Sequence, residues 1–156
     1  MAESGAEQRA FFRRWPTGIS VVVAEHDGRR AGLTVSTLVS LSLDPPLVGI
    51  SLAREASLYE PLRDAGEWTV SILSGEQAHL ARHFALSVPP IALWNGIPVR
   101  DDDPRRIADA VGWLDVRTVG QAEAGDHTFF VGEILSIERG HAATSLVHFD
   151  RTYSAL

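Results

Sequence analysis

The feature that most restricts the fold is residues 30–51, RAGLTVSTLVSLSLDPPLVGIS. The first part alternates small, apolar and hydroxylated residues. Asp44-Pro45-Pro46 then makes a rigid corner, and Leu47-Val48-Gly49-Ile50 returns as a buried strand. The hydroxyls of Thr34, Ser36, Thr37, Ser40 and Ser42 stand in an otherwise apolar ribbon. A hydroxyl does not help a core. Either these groups bond their own backbone in turns, or they line a wall that faces a polar ligand. The spacing leaves both readings open.

On either side of this ribbon the pattern is mostly strand. A helix is expected from about Ser4 to Trp15, capped by Ser4, with Phe11, Phe12 and Trp15 on its apolar side and Pro16 and Gly18 at its end. Residues 19–24, ISVVVA, form a β-branched strand. His26-Asp27-Gly28 signals a hairpin into the next strand, residues 30–35. Ser57-Leu58-Tyr59-Glu60 has the form of a capping box, with Pro61 close to the helix start and Gly66 at its end. Residues 67–73 alternate as a strand, and Ser74-Gly75-Glu76-Gln77 reads as a second capping box for a helix reaching about Phe84. Residues 86–103 are irregular, followed by an expected helical turn at residues 104–110. Two long antiparallel strands, 112–119 and 128–137, are expected around a loop at 120–127, with a last short strand at 145–149. The whole chain, 1–156, reads as a single domain, a β-barrel with peripheral helices.

Composition excludes several classes of function. A net charge of -6 argues against a nucleic-acid binder. With no cysteine there is no disulfide, thiolate metal site or thiol nucleophile. His79 and His83 are four residues apart, but no acidic partner shares their face, so they read as solvated helix-face residues and no metal site is expected. The first residues lack the basic start and apolar core of a signal peptide, and no apolar run approaches the ~20 residues that span a bilayer. A cytoplasmic protein with no membrane partner is the expectation.

GLTVST followed by SLSLDPPLVGISL resembles the signature of the flavin-reductase-like family. Three further stretches match in the same order: FFRRWPTGISVVVA, then SLYEPLRDAGEWTVSIL with HLARHFA, and AGDHTFFVGEI. The resemblance spans roughly residues 9–153. It implies an FMN-binding split barrel of Greek-key topology, mainly β with peripheral helices. It further implies a homodimer with each flavin near the subunit interface, FMN or FAD as the flavin, and NADH or NADPH as co-substrate.

The family pattern also assigns residues. Thr34, Val35, Ser36 and Thr37 would run beside the isoalloxazine ring and ribityl chain, with Ser40 and Ser42 nearby. Arg54 and Ser57 stand where the family holds the flavin phosphate, and an anion at a helix start suits the chemistry of free backbone N–H groups. Arg82 and Phe84 belong to the Arg-Phe-Ala-like stretch, Arg82 being a second phosphate candidate. Tyr153 lies in a stretch that closes over the site. His127, in Gly125-Asp126-His127, would face the open side of the ring and touch the incoming nicotinamide, since the protein's main task in hydride transfer is to position two rings. Plain alternatives stand beside each assignment: an N-cap for Ser57, solvated surface for Arg82 and His127, a barrel anchor for Tyr153.

Two departures from the pattern bear on function. The family's lysine-bearing segment after the helix is replaced by Ala92-Leu93-Trp94-Asn95-Gly96, and the loop before it, Val88-Pro89-Pro90-Ile91, is unusually apolar. Trp94 would then accept a hydrophobic substrate or pack on a partner subunit. The leading expectation is an NAD(P)H:flavin oxidoreductase that supplies reduced flavin to a partner monooxygenase. The alternatives are a flavin-retaining oxidoreductase or oxygenase acting on a small organic substrate, and a non-catalytic flavin- or haem-binding module.

Overall fold

A computed structural model describes residues 4–86 and 88–156. Residues 1–3 and Ser87, within the expected N-terminal and irregular segments, lie outside the described residues. Strand β2 (Ser20–His26) carries the architecture. Its β-branched run does not alternate with polar residues because both of its faces are buried. Val22 and Ala24 point into one core with Ile50, Leu52, Trp68, Val70, Val116 and Phe130. Ile19, Val21 and Val23 point into a second core with Leu80, Phe84, Ile107 and Leu146. A strand covered on both sides reads as a continuous apolar run.

Seven strands form one sheet in the order β3-β2-β6-β7-β8-β5-β4. These are β3 (Arg29–Val35), β4 (Val39–Leu43), β5 (Pro46–Ala53), β6 (Glu67–Ile72), β7 (Gly112–Ala124) and β8 (His127–Arg139), with β2 between β3 and β6. Residues 36–38 bridge its two edges. There the Thr37 hydroxyl clasps β5 from both directions, accepting from Ser51 N–H at 3.0 Å and donating to Ser51 C=O at 3.1 Å. The result is the expected split-barrel-like α+β fold. A separate three-stranded sheet joins β1 (Thr17–Gly18), β9 (Leu146–Phe149) and β10 (Thr152–Ala155) in the order β1-β9-β10.

Helix α1 (Gly5–Phe12) has a complete capping box between Ser4 and Glu7, and it stops three residues short of Trp15. Helix α2 (Tyr59–Ala65) plugs one core with Leu58, Tyr59 and Leu62 and ends on left-handed Gly66. The capping box expected at Ser57 does not form. Consecutive turns at residues 53–59 satisfy the local N–H groups instead, Ala56 N–H bonding Ala53 C=O and Tyr59 N–H bonding Ala56 C=O, and Leu58 becomes the N-cap. Helix α3 (Ala78–Ala85) covers the other core. Only half of its expected box exists, Ser74 N–H donating to Gln77 Oε1, because the Gln77 backbone N–H bonds Ser74 C=O at 3.0 Å rather than the Ser74 hydroxyl; the Gln77 amide also reaches Ala108 C=O at 2.7 Å.

Three further expectations are corrected. Residues 104–110 make turns and a bridge (Val99 with Ile107), not a helical turn, since Arg105 and Arg106 are drawn to carboxylates on either side. The strands expected at 112–119 and 128–137 run on to a two-residue turn at Gly125 and Asp126, so no long loop separates them. Ser40 and Ser42 lie on a strand, β4, and β10 is an element the pattern did not reveal.

Candidate functional site

The hydroxyl-bearing ribbon divides into two kinds of residue. Thr34 Oγ1 donates to Ala81 C=O at 2.6 Å and fastens β3 under α3, while Thr37 clasps β5. Both therefore serve the fold through their side chains. Ser36, Ser40 and Ser42 have no side-chain partner among the described residues, and Ser36 and Ser40 are exposed. Val35 is buried in the barrel core.

A large cavity, about 1070 Å³, opens beside Ser36 and Thr37. Its floor is Ile19, Ser20, Leu38 and Ile72, and its far wall comes from α1 and β9, with Phe12, Trp15 and His148. Behind His148 stands Tyr153, with ring centroids 5.0 Å apart, and the Arg82 guanidinium lies 5.2 Å over the Tyr153 ring. Thus Ser36 and Thr37 line the cavity, whereas Tyr153 and Arg82 stand behind its far wall. Phe84 is not part of that wall. It is buried against Trp94 (5.2 Å between centroids) and Gly32, where a Cβ would collide with its ring.

A second cluster forms at the end of β5. Ala53 pairs with His127, and the chain turns at once into Arg54. Arg54 N–H bonds Asp126 C=O, and its guanidinium donates to His127 C=O at 3.1 Å and to Gly125 C=O. One residue thus holds three consecutive carbonyls of the β7–β8 turn. Gly125 has φ 62°, as the first position of a type II′ turn demands. At the tip, His127 Nδ1–H donates to Asp126 Oδ1 at 2.7 Å, leaving Nε2 outward. That hydrogen bond and the charge of the ring hold the Asp126 carboxyl below its usual range. Arg54 and Ser57 border a smaller cavity of about 380 Å³ with Arg29 and four acidic residues, Asp27, Glu55, Glu60 and Asp64, which count against an anion there. Strand rise separates Ser51, clasped by Thr37, from Arg54 by about 10 Å.

The apolar loop itself stays exposed at Pro89, Pro90 and Ile91, and the residues after it turn inward. Trp94 Nε1 donates to Arg30 C=O at 2.7 Å, and Leu93 is buried in the α3 core. His83, expected to be solvated, is half-buried and donates from Nε2 to Leu93 C=O at 2.7 Å. Trp94 therefore packs on its own chain and lies outside the large cavity. The sequence pattern gave no individual role to Arg9 or Arg13, nor to His148 and Arg151 within the stretch expected to close over the site, and all four line that cavity. Their spacing resembles that of ordinary surface residues, and only the meeting of α1 with the β9–β10 turn brings them together.

Among the described residues, no three potential metal ligands cluster, and no helix is long and apolar enough to cross a membrane.

The model of the flavin reductase like domain matches residues 12–156. The chain belongs to that family. It is 34% identical over 144 residues to the reductase component of 4-hydroxyphenylacetate 3-monooxygenase from Thermus thermophilus, covering 92% of this chain and 91% of the relative. It is 33% identical over 160 residues to the actinorhodin polyketide dimerase of Streptomyces coelicolor, covering 100% of this chain and 89% of the relative. The NADH:FAD oxidoreductase of Streptomyces globisporus superposes with a TM-score of 0.91 at 28% identity, covering 100% of this chain and 95% of that one. In this flavin-reductase fold Thr37 lines the large cavity and clasps Ser51, three residues before Arg54 of the second cluster.

Proposed function

We infer that this chain is an NAD(P)H-dependent flavin reductase that delivers reduced FMN or FAD to a monooxygenase. The observation that carries the reading is the large cavity beside Ser36 and Thr37, the residues that the family pattern assigns to the ring and ribityl chain. The residues fit a flavin. The unpartnered Ser36 hydroxyl and nearby backbone can hydrogen-bond, the floor is apolar, and no carboxylate lines the cavity to repel an anion.

A bound flavin supplies a hydride acceptor at its N5, able to take two electrons from the C4 of a reduced nicotinamide. The protein's part is positioning. Ser36 and the Thr37 backbone orient the ring. Ser57 and the N–H groups of Arg54 not spent on the turn hold the phosphate, despite the four carboxylates that share their cavity. His127, its ring fixed by Asp126, guides the nicotinamide. Arg82 steadies Tyr153, which backs His148 on the far wall of the cavity. Edge strand β4 exposes Val39, Leu41 and Leu43, and a second copy of the chain covers this row in a homodimer.

The actinorhodin polyketide dimerase among the relatives supports a second reading, a flavin-retaining enzyme acting on an organic substrate. Trp94 packs against Phe84 and Arg30 and, with Pro90 and Ile91, borders a separate cavity of about 430 Å³ on which such a substrate would have to sit.

Purified protein is assayed for NADH and NADPH oxidation with and without added FMN or FAD. Consumption that requires added flavin is expected, and His127→Ala should slow it more than it weakens FMN binding. Tightly held flavin without nicotinamide oxidation would favour the second reading, and no flavin binding at all would reject both.

A further inference from the structure

The large cavity is lined by Arg9, Arg13 and Arg151, with His148 beside them, and by no aspartate or glutamate. This is a chain with 20 acidic residues, in which every one of the 14 basic residues is an arginine. Most of those arginines are occupied. Arg63, Arg100, Arg105, Arg106 and Arg117 meet carboxylates, Arg30 and Arg54 donate to carbonyls, and Arg14 and Arg82 lie over rings. Among the described residues, the guanidinium groups of the cavity trio meet none of these. Arg29 and Arg139 are also unpartnered, but they do not line this cavity.

The trio is assembled from two distant parts of the chain. Arg9 and Arg13 stand one helical turn apart on the same side of α1. Asp150 N–H donates to Arg13 C=O at 2.8 Å, and Arg14 lies over Phe149, pinning the β9–β10 turn to the end of α1. That turn holds Asp150 at φ 48° and Arg151 at φ 66°, which costs about 1 kcal/mol for a residue with a side chain. The C-terminal end of α1 attracts cations and accounts for Arg9 and Arg13. It does not account for Arg151 or for the missing carboxylates.

We propose that Arg9, Arg13 and Arg151 form a second anion site that takes the diphosphate of a dinucleotide, with the exposed ring of Phe12 or Trp15 available to stack its base. The proposal rests on the flavin-reductase reading and extends it. A cavity of about 1070 Å³ exceeds the roughly 300–1,000 Å³ of ordinary small-molecule sites. A mononucleotide phosphate has its own candidate at Arg54 and Ser57, on the separate smaller cavity. Guanidinium forks match phosphate oxygens in pairs, and aromatic faces stack bases. FAD and NADH both carry this diphosphate.

The test compares wild type, Arg9→Gln with Arg13→Gln, Arg151→Asn (a residue that tolerates the left-handed backbone) and Arg139→Gln as control. Flavin-fluorescence titration gives Kd for riboflavin, FMN and FAD, and steady-state assays at fixed FMN give KM for NADH. If FAD is the source, its Kd rises at least tenfold more than that of FMN. If NADH is the source, its KM rises at least tenfold while the ratio of FAD to FMN affinity holds. Equal losses for FMN and FAD, with NADH spared, would make this a monophosphate site and overturn the proposal. Equal losses for riboflavin, or losses no larger than those of Arg139→Gln, would overturn it as well. Inorganic pyrophosphate keeps the trio separable from the functional reading. It should raise the Tm of wild type more than that of the Arg9 and Arg13 double variant even if no flavin binds, and an equal shift counts against the site.

Discussion

The arginines of residues 98–111 and the arginines of the large cavity are the same chemical group used in opposite ways. Arg100 donates to Asp102 (2.6 and 2.8 Å) and Glu138 (2.5 Å), and Arg106 to Glu138 (2.6 Å) and Asp115 (2.7 Å), with Ser136 completing the Asp115 carboxylate. Arg100 also lies 4.5 Å over Trp113. This network fastens an irregular segment to β7 and β8, where few backbone ladder bonds are available. The cavity arginines have open donors and hold nothing in place. Arg54 falls between the two, its donors spent on turn carbonyls. Partners mark one kind of arginine as serving the fold; open donors together with a place on the cavity wall distinguish the other.

The largest expected effect follows from breaking the saturated side. Arg106 is almost wholly buried, and Arg106→Ala takes one cationic partner each from Glu138, Asp115 and Asp103, a loss of about 2 kcal/mol or roughly 6 °C in Tm. The Arg9 and Arg13 double variant should stay within about 0.5 kcal/mol of wild type. Similar melting curves for the two variants would erase the distinction.

The intermediate case is Arg54→Ala, expected to reduce NADH-dependent flavin reduction about tenfold, a loss typical of misplaced positioning groups. If Arg54 also holds phosphate, the Kd for FMN rises more than that for riboflavin. Equal rises would leave it a clamp of the turn alone.

Acid should act on the saturated side first. Hydrogen bonds from Arg100 hold the Asp102 and Glu138 carboxyls below their usual range. Burial pushes Asp103 up, and the bonds from Arg105 outweigh it. Groups depressed in the folded state stabilise above their unfolded pKa, about 4, and lose that contribution as pH falls through the lower folded values. The Tm gap between wild type and Glu138→Gln should therefore be widest near neutrality and close toward pH 3. A gap independent of pH would remove the carboxylate from the account.

Asp126→Asn should give the smallest change, a few-fold rise in KM for the nicotinamide. The side chain is well exposed, and an amide oxygen still accepts from His127 Nδ1. A loss as large as that of His127→Ala would mean that the carboxylate charge does more than orient the ring.

Legibility in the sequence followed locality. The β2–β3 hairpin was readable because Asp27 and Gly28, at φ 50° and 73°, are the residues that a type I′ turn favours. The β9–β10 hairpin uses Asp150 and Arg151 at nearly the same angles, and arginine carries no turn signal, so β10 went unseen. The Ser57 box failed because a capping pattern competes with local turns, here Ala56 N–H to Ala53 C=O and Tyr59 N–H to Ala56 C=O. Hydroxyls gave a true signal of something unusual in residues 30–51, but their roles depended on distant partners, Ala81 for Thr34 and Ser51 for Thr37. The cavity arginines were invisible for the same reason, being separated by more than a hundred residues of chain.

Trp15 stands 66% exposed at the cavity, whereas Trp68 and Trp113 are buried and Trp94 is packed on Phe84. Its indole is thus an intrinsic optical reporter. A chromophore entering the cavity quenches the red-edge, water-exposed emission selectively, so occupancy can be followed by light from the unlabelled protein.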